Sequence, residues 1–220
     1  MPSASALPDQ LAEALDTGLA VMQLDSVHPD QRQLLIQYVL LLQRWNSTHN
    51  LTAVRDPLEM ISRHLLDSLA ALPFLDAGRV ADIGSGAGLP GIPLAICRPA
   101  QAFTLVEPAG KRVAFLRSVL AELGLSHVQV VPTTSEKYQP ENLPDILISR
   151  ATAPLARLDA MTIHLQGPQS RVLALKGPGV EAELADWPRA AAMDVHIHDL
   201  QVPGSPLRKL LIWTNPLQMP

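Results

Sequence analysis

A single cysteine, Cys97, stands in a chain of 220 residues, which excludes an internal disulfide framework and any metal site built on clustered cysteines. At the end of an apolar segment it reads as a small hydrophobe. Seven histidines are present, but none joins a Cys/His cluster. His196 and His198 alternate as ordinary strand residues do, so no metal site is expected. Charged residues are scarce, 17% against 47% hydrophobic, the balance of a folded core and the reverse of a disordered chain. Excess positive charge is missing too. The formal net charge of -4 argues against a broad basic surface for free duplex nucleic acid, while leaving room for a local basic face. No cationic start leads into an apolar run at the N-terminus. The best apolar run, residues 38–42, stops at Gln43 and Arg44, too short to cross a bilayer. No membrane partner is expected, and the expected compartment is the cytoplasm.

What is present is a change of rhythm along the chain. Leu7, Leu11, Ala14, Leu15 and Leu19 recur at helical spacing, and Leu34, Leu35, Tyr38, Val39, Leu42 and Trp45 do the same. A third helix is expected over 58–72, with Pro57 suited to its first turn. Pro73 and Gly78 mark a join. Beyond it, short apolar runs at 80–83, 103–106, 128–131, 146–148 and 172–175 alternate with helix-compatible segments at 91–97, 111–123 and 155–165. That order predicts an α/β fold, a mostly parallel sheet with helices on both faces. Runs at 195–200 and 210–214, separated by Pro203-Gly204-Ser205-Pro206, would add an antiparallel edge pair. The length suits one such core with an appendage. The expected division is an N-terminal helical extension over 1–77, packed on a core over 78–220.

The stretch Asp82-Ile83-Gly84-Ser85-Gly86-Ala87-Gly88-Leu89-Pro90-Gly91 follows an expected strand and opens an expected helix. Glycines there permit a tight turn and bring backbone N–H groups close to a ligand. Leu89 stands where a dinucleotide fingerprint begun at Gly84 has its third glycine, which weakens an NAD reading. The Gly-Lys-Ser/Thr ending of a phosphate loop is missing, which disfavours ATP and GTP. Glu107 ends the next strand, where a carboxylate accepts both ribose hydroxyls of an adenosyl group. A dinucleotide enzyme would use the same acid, and a purely structural glycine turn is the other reading.

The loop joins a wider set of motifs: Asn50-Leu51-Thr52-Ala53-Val54-Arg55, Arg63-His64-Leu65-Leu66-Asp67-Ser68, Lys111-Arg112 with Phe115-Leu116, Ser149-Arg150-Ala151, and Ala174-Leu175-Lys176-Gly177. Together with residues 82–95 these resemble the RsmG family, also called GidB, over about residues 34–211. Its members are bacterial methyltransferases acting on N7 of guanosine 527 in 16S ribosomal RNA. The resemblance implies a Rossmann-like, S-adenosylmethionine-dependent methyltransferase fold with a seven-stranded sheet. It also implies S-adenosyl-L-methionine as cofactor and 16S ribosomal RNA, within a small-subunit particle, as partner; a monomer is expected. Gly84 and Leu89 then match positions touching the cofactor, with Gly86 and Gly88 shaping the loop. Glu107 matches the ribose carboxylate, Ser135 and Glu136 a pair near the adenine, and Arg150 an arginine beside the cofactor. Three residues depart from the family pattern. Thr134 replaces an arginine open to RNA phosphate or the cofactor carboxylate, Pro108 replaces a serine, and Lys209 replaces a histidine whose ring could stack on a base. None removes the cofactor cradle. A methyltransferase for another substrate and a ribosome-associated binding module without turnover are the alternatives.

Guanine N7 carries an exposed lone pair, so the implied reaction needs placement and charge management, with no general base. Ser149 is no nucleophile on this reading, since no Gly-x-Ser-x-Gly elbow surrounds it. The residues expected to serve the chemistry are Arg150, Lys176, Arg63 and His64. A structural ion pair of Arg150 with Asp145, a local pair of His64 with Asp67, and a solvated Lys176 are the alternatives. Arg63, Lys111, Arg112, Arg208 and Lys209, with Arg55 and Arg117 nearby, are expected to meet RNA phosphate if they converge. Each taken alone reads as a surface charge.

Overall fold

The computed structural model describes residues 6–150 and 152–214. Ala151 of the Ser149-Arg150-Ala151 motif lies outside the described residues, as do the outer ends of the two expected segments, 1–5 and 215–220. Two long helices open the chain, α1 (Leu7–Val21) and α2 (Pro29–His49), each with a proline in its first turn, where the missing N–H costs nothing. Then comes an interrupted helix. Asp56 caps α3 (Pro57–Met60) by accepting the Leu58 N–H at 2.9 Å. A π-helical turn (Ile61–Leu66) and α4 (Asp67–Leu69) follow. The single helix expected over 58–72 is thus broken by a wider turn, and a 3-10 turn (Leu72–Phe74) closes the segment. One tertiary bond reaches a carbonyl of that turn, from Arg150 to Arg63 O; π turns concentrate where such demands are made.

The remaining elements alternate: β1 (Val80–Ile83), α5 (Gly91–Cys97), β2 (Phe103–Val106), α6 (Gly110–Leu123), β3 (Val128–Val131), β4 (Ile146–Arg150), α7 (Leu155–Thr162), β5 (Arg171–Lys176), α8 (Val180–Ala185), β6 (Asp194–Leu200) and β7 (Arg208–Thr214). The sheet order is β3-β2-β1-β4-β5-β7-β6. Strands β1 to β5 pair in parallel, and β7 runs antiparallel to both β5 and β6. The short helix α8 was not expected from the sequence.

Successive strand residues point to opposite faces, and both faces are covered. Val80, Phe103, Leu105, Ile146, Ile148, Leu210 and Ile212 pack beneath α2, α5 and α6 in one core that also takes in Leu11, Leu15, Tyr38 and Leu42 of the N-terminal helices. Ala81, Ile83, Val106, Leu147, Ala174 and Trp213 face α7, α8 and Trp187 in the other. Burial on both faces is why these strands read as unbroken apolar runs. No described helix is long and apolar enough to cross a membrane.

Asp82 is the one acid inside β1, and it joins the sheet to the turn above. Its Oδ2 accepts the Gly91 N–H at 2.9 Å, across the whole glycine-rich loop, and Oδ1 has no hydrogen-bond partner. Burial pushes the carboxyl up to about 7, against the pull of the Gly91 N–H. Unfolded, the group ionises near its ordinary 3.8. Between those values the folded chain keeps a proton that the unfolded chain has lost, so this group makes stability fall as pH rises from about 4 to about 7. Urea unfolding of wild type and Asp82→Asn across pH 4 to 8 measures that slope. The difference in stability between the two proteins should shift in favour of the variant as pH rises and level off above pH 7. A constant difference would mean Asp82 is ionised throughout.

Candidate functional site

Strands β2 and β4 leave β1 in opposite directions through the sheet. At such a switch point the carboxyl ends of the strands part and a crevice opens. The chain turns over it through Gly84, Gly86 and Gly88, at φ of +69°, +59° and +90°, conformations that glycine adopts without penalty. Four outside contacts hold the turn. The Gly84 and Ser85 N–H groups donate to Val106 O at 2.9 and 3.1 Å. The Gly86 N–H donates to Glu107 Oε2 at 2.8 Å, and Tyr38 Oη of α2 donates to Ala87 O at 2.7 Å. The three glycines have different neighbours. A Cβ on Gly84 would stand 2.6 Å from Thr152 Cγ2, and one on Gly88 would stand 2.5 Å from Ile92 Cγ1. One on Gly86 would meet nothing closer than Gly84 O at 3.8 Å. Gly88 therefore supports the loop from beneath, and Gly86 opens to the crevice.

The crevice encloses about 470 Å³ and brings together Gly84, Gly86, Leu89, Glu107, Ser135, Glu136 and Arg150, all named from the sequence. Ala87, Leu89 and Val106 make it apolar on one side, and Leu51 and Thr52 enter from the helical side. Two positions of departure, Pro108 and Thr134, also line it. The Glu107 side chain is buried. Besides the Gly86 N–H, it accepts the Ala109 N–H on Oε1 at 2.8 Å, with Arg112 Nη1 3.7 Å away. Each carboxylate oxygen has a second lone pair, so Glu107 pins two backbone segments and retains acceptor capacity. Ser135 is buried and donates to Glu136 Oε2 at 3.2 Å. These features fit an adenosyl group with a charged amino-acid tail: an open glycine edge, an apolar wall and a buried carboxylate. No group of three metal-ligating side chains exists among the described residues.

Beside this crevice the π turn meets the sheet. His64 is buried, with Nδ1 2.9 Å from Arg63 O and Nε2 2.8 Å from Thr52 Oγ1. A carbonyl only accepts, so Nδ1 carries the hydrogen and Nε2 accepts from the Thr52 hydroxyl; this tautomer is assigned from the bonds. Burial, then the Arg150 charge, pushes the ring down to about 4, so His64 is neutral at physiological pH. Arg63 O also accepts from Arg150 Nη1 at 3.0 Å, and the same Nη1 donates to Asp67 Oδ2 at 2.9 Å. Arg150 thus pairs with Asp67, and the pairing with Asp145 considered from the sequence is not formed; Asp145 holds Arg79. His64 and Asp67 share no hydrogen bond either. Instead, Asp67 places Oδ1 2.8 Å from Arg208 Nε. Lys176 is buried, its Nζ bonded to Ala153 O and, at 2.8 Å, to Glu183 Oε2.

The five cations expected to meet RNA divide. Arg63 is exposed and 3.3 Å from Glu59, and Lys111 is exposed at the start of α6. Arg112 turns toward Glu107, Arg208 toward Asp67, and Lys209 Nζ lies 2.9 Å from both Asp199 and Glu181. Tyr38, Thr52, Thr152 and Arg157 belong to the crevice or its support, and sequence reasoning did not single them out as site residues. Only Thr52 carried a signal, its place in the Asn50 to Arg55 motif; Tyr38 was legible merely as a position on an apolar helix face.

Comparison with known proteins bears on the whole chain. The GidB family, described as rRNA small subunit methyltransferase G, matches residues 31–210. A Xanthomonas campestris pv. campestris protein named ribosomal RNA small subunit methyltransferase G is 44% identical over 200 residues, 91% of this chain and 92% of its own. A Stenotrophomonas maltophilia protein of the same name is 43% identical over 198 residues, 90% of this chain and 92% of its own. Among solved structures, the Bacillus subtilis tRNA methyltransferase TrmK superposes with a TM-score of 0.55 at 16% identity, over 70% of this chain and 66% of its own. MtNAS, solved in complex with MTA and tNA, does so at 0.56 and 15% identity, over 94% and 86%. At such identities these two likenesses speak to the fold alone, a mostly parallel Rossmann-like sheet. The sequence relatives say more: matched by the family from residue 31 to residue 210, and 44% identical to a relative across 91% of its own residues, the chain belongs to the GidB family, rRNA small subunit methyltransferase G.

Proposed function

We propose that this chain transfers a methyl group from S-adenosyl-L-methionine to N7 of guanosine 527 of 16S ribosomal RNA, acting as a monomer in the cytoplasm on a small-subunit particle. The observation that carries the cofactor half is Glu107, a buried carboxylate at the sheet's switch point that already anchors the glycine loop by one oxygen. Family membership carries the RNA half. Labelled methyl transfer to small subunits, with nucleoside mass spectrometry of 16S RNA from cells with and without the gene, tests both. Methyl on protein, or an unchanged nucleoside profile, refutes the assignment.

When bound, the cofactor supplies a methyl group on a positively charged sulfur, ready for in-line displacement. Glu107 takes the ribose hydroxyls, Gly84, Gly86 and Leu89 approach the ligand with backbone, and Ser135 and Glu136 flank the adenine. Arg150, fixed by the Arg63 carbonyl and Asp67, orients the reactants at the end of β4. Lys176 and Arg63 serve the acceptor side. His64 is neutral and both its ring nitrogens are engaged, so it moves no proton and holds Thr52 against the crevice. The division of labour follows the chain: the segment before β1 contributes one wall through Leu51 and Thr52, and the sheet with its loops contributes the floor.

Two cofactor-binding predictions follow from the geometry. Glu107→Ala removes a charged acceptor and frees two loop N–H groups; charged hydrogen bonds contribute roughly 1.5–3 kcal/mol, so affinity for S-adenosylmethionine should fall at least ten- to a hundredfold, roughly, by calorimetry. Gly86→Asp should abolish binding with near-native circular dichroism, because its side chain enters open crevice and aspartate tolerates positive φ better than most residues. Gly84→Asp should also lower thermal stability, since its Cβ collides with Thr152. Equal stability of the two variants would contradict this placement of the glycines.

The cations give a third prediction. Arg63 and Lys111 are exposed, and the acid beside Arg63, Glu59, is an equally exposed neighbour on its own helical segment, whereas Arg112, Arg208 and Lys209 lie against acids outside their own helix or strand. Arg63→Ala with Lys111→Ala should leave cofactor affinity unchanged and reduce the slope of log affinity against log salt for small-subunit binding by up to about two units. Coincident slopes would remove both residues from the RNA face.

A further inference from the structure

A second cavity of about 400 Å³ adjoins the cofactor crevice, and Arg150 and Thr152 line both. Its other walls include Asp67, Lys176, Glu183 and Arg208. Three cations and two carboxylates are an odd lining for a phosphate site, because Glu183 faces the space beside Lys176. Pro154 and Leu175 add apolar surface. The lining offers instead what a flat, polar-edged ring needs: apolar contact, guanidinium planes and hydrogen-bonding groups at the rim. Single bases taken out of their stack are bound by such stacking, on arginine planes among others, and by hydrogen bonds to their edges.

The guanidiniums are held for the task. Asp67, with its side chain 2% exposed, accepts a hydrogen bond from Arg150 on Oδ2 and faces Arg208 Nε with Oδ1 at 2.8 Å without hydrogen-bond geometry, so Arg150 is oriented, and Arg208 kept close by charge, before any ligand arrives. Glu183 is positioned from two sides. Its Oε2 accepts Lys176 Nζ at 2.8 Å and the Leu155 N–H, at the start of α7, at 3.0 Å. Both of these bonds fall on Oε2, and the Glu183 side chain, which lines the cavity, is 36% exposed.

We propose that this second cavity receives the flipped-out acceptor base and that Glu183 is the specificity-determining residue, accepting hydrogen bonds from the N1–H and N2 amino group that guanine offers and adenine does not. The inference rests on the methyl-transfer reading above. In the transfer, the N7 lone pair forms the new bond to carbon and the carbon–sulfur bond breaks with its electrons staying on sulfur. The positive charge moves onto the purine and no proton is transferred. A charged purine is a stronger N–H donor, so a carboxylate at that edge binds it more tightly in the transition state than in the ground state. Glu183 therefore contributes to rate as well as to choice of base.

The test uses small subunits reconstituted with guanosine or with inosine, which lacks the 2-amino group, at the methylated position. Wild type should prefer guanosine by about ten- to a hundredfold in kcat/KM, the range expected for a hydrogen bond to a charged group. Glu183→Gln keeps an acceptor for the Leu155 N–H, and should compress that preference to a few-fold and lower kcat more than it raises KM. Glu183→Ala should abolish the preference. S-adenosylmethionine calorimetry on each variant should match wild type, which separates a lost base contact from a lost fold. A wild-type enzyme indifferent to the 2-amino group, or a Glu183→Gln variant with the full preference, overturns the proposal. Absence of transfer to either particle by wild type would instead refute the reading on which it rests.

Discussion

The buried carboxylate of Asp67 holds together parts of the chain that share no strand ladder. Arg150 ends β4 and Arg208 begins β7, strands separated in the sheet by β5, and Asp67 belongs to the N-terminal helical segment. A carboxylate this deep is tolerable only because both oxygens face cations, and removing one partner of a buried pair typically costs about 3–5 kcal/mol. The same bond network sets the π turn. Arg63 O accepts from His64 and from Arg150, and the widened turn delivers those groups where a regular helix of the expected span would not.

The crevice is built on a similar economy of polar contacts. Asp82 below, Tyr38 from α2 and Glu107 from the end of β2 each fasten a different part of one glycine-rich turn. Three attachments from three elements leave the backbone little freedom, so the shape of the turn is in place beforehand and less ordering entropy is lost on binding. The N-terminal helices matter to the site for this reason as much as for the apolar core they complete. Without α2, Ala87 O would lose its phenol, and without the segment after it the crevice would lose Leu51 and Thr52.

The charge on this chain is arranged sparingly. Most cations near the site are answered by an acid: Arg112 by Glu107, Arg150 and Arg208 by Asp67, Lys176 by Glu183, Lys209 by Asp199 and Glu181. Paired cations cost less to bury and hold fixed orientations, which suits recognition of a particular nucleotide better than general attraction to a polyanion. Arg63, Lys111 and Arg112 are the exposed members of the expected set, against the half-buried Arg208 and Lys209.

The sequence by itself determined the alternation of strand and helix, the glycine turn, the acid that follows it and the family, because each is written in contiguous residues. Buried strands must be apolar, tight turns must have glycine, and a carboxylate at the end of the second strand is one residue in one place. Gly84, Gly86, Leu89, Glu107, Ser135, Glu136 and Arg150 do line one crevice. Only the tertiary structure decided which partner each charge takes. Asp67 and Arg150 are 83 residues apart, and nothing local distinguishes that pairing from one with Asp145, which instead meets Arg79. The π turn, the role of Tyr38 and the facing of Glu183 into a second cavity were hidden for the same reason. Each depends on where another element lies in space, and side-chain pairing across a fold leaves no periodicity in the chain that makes it.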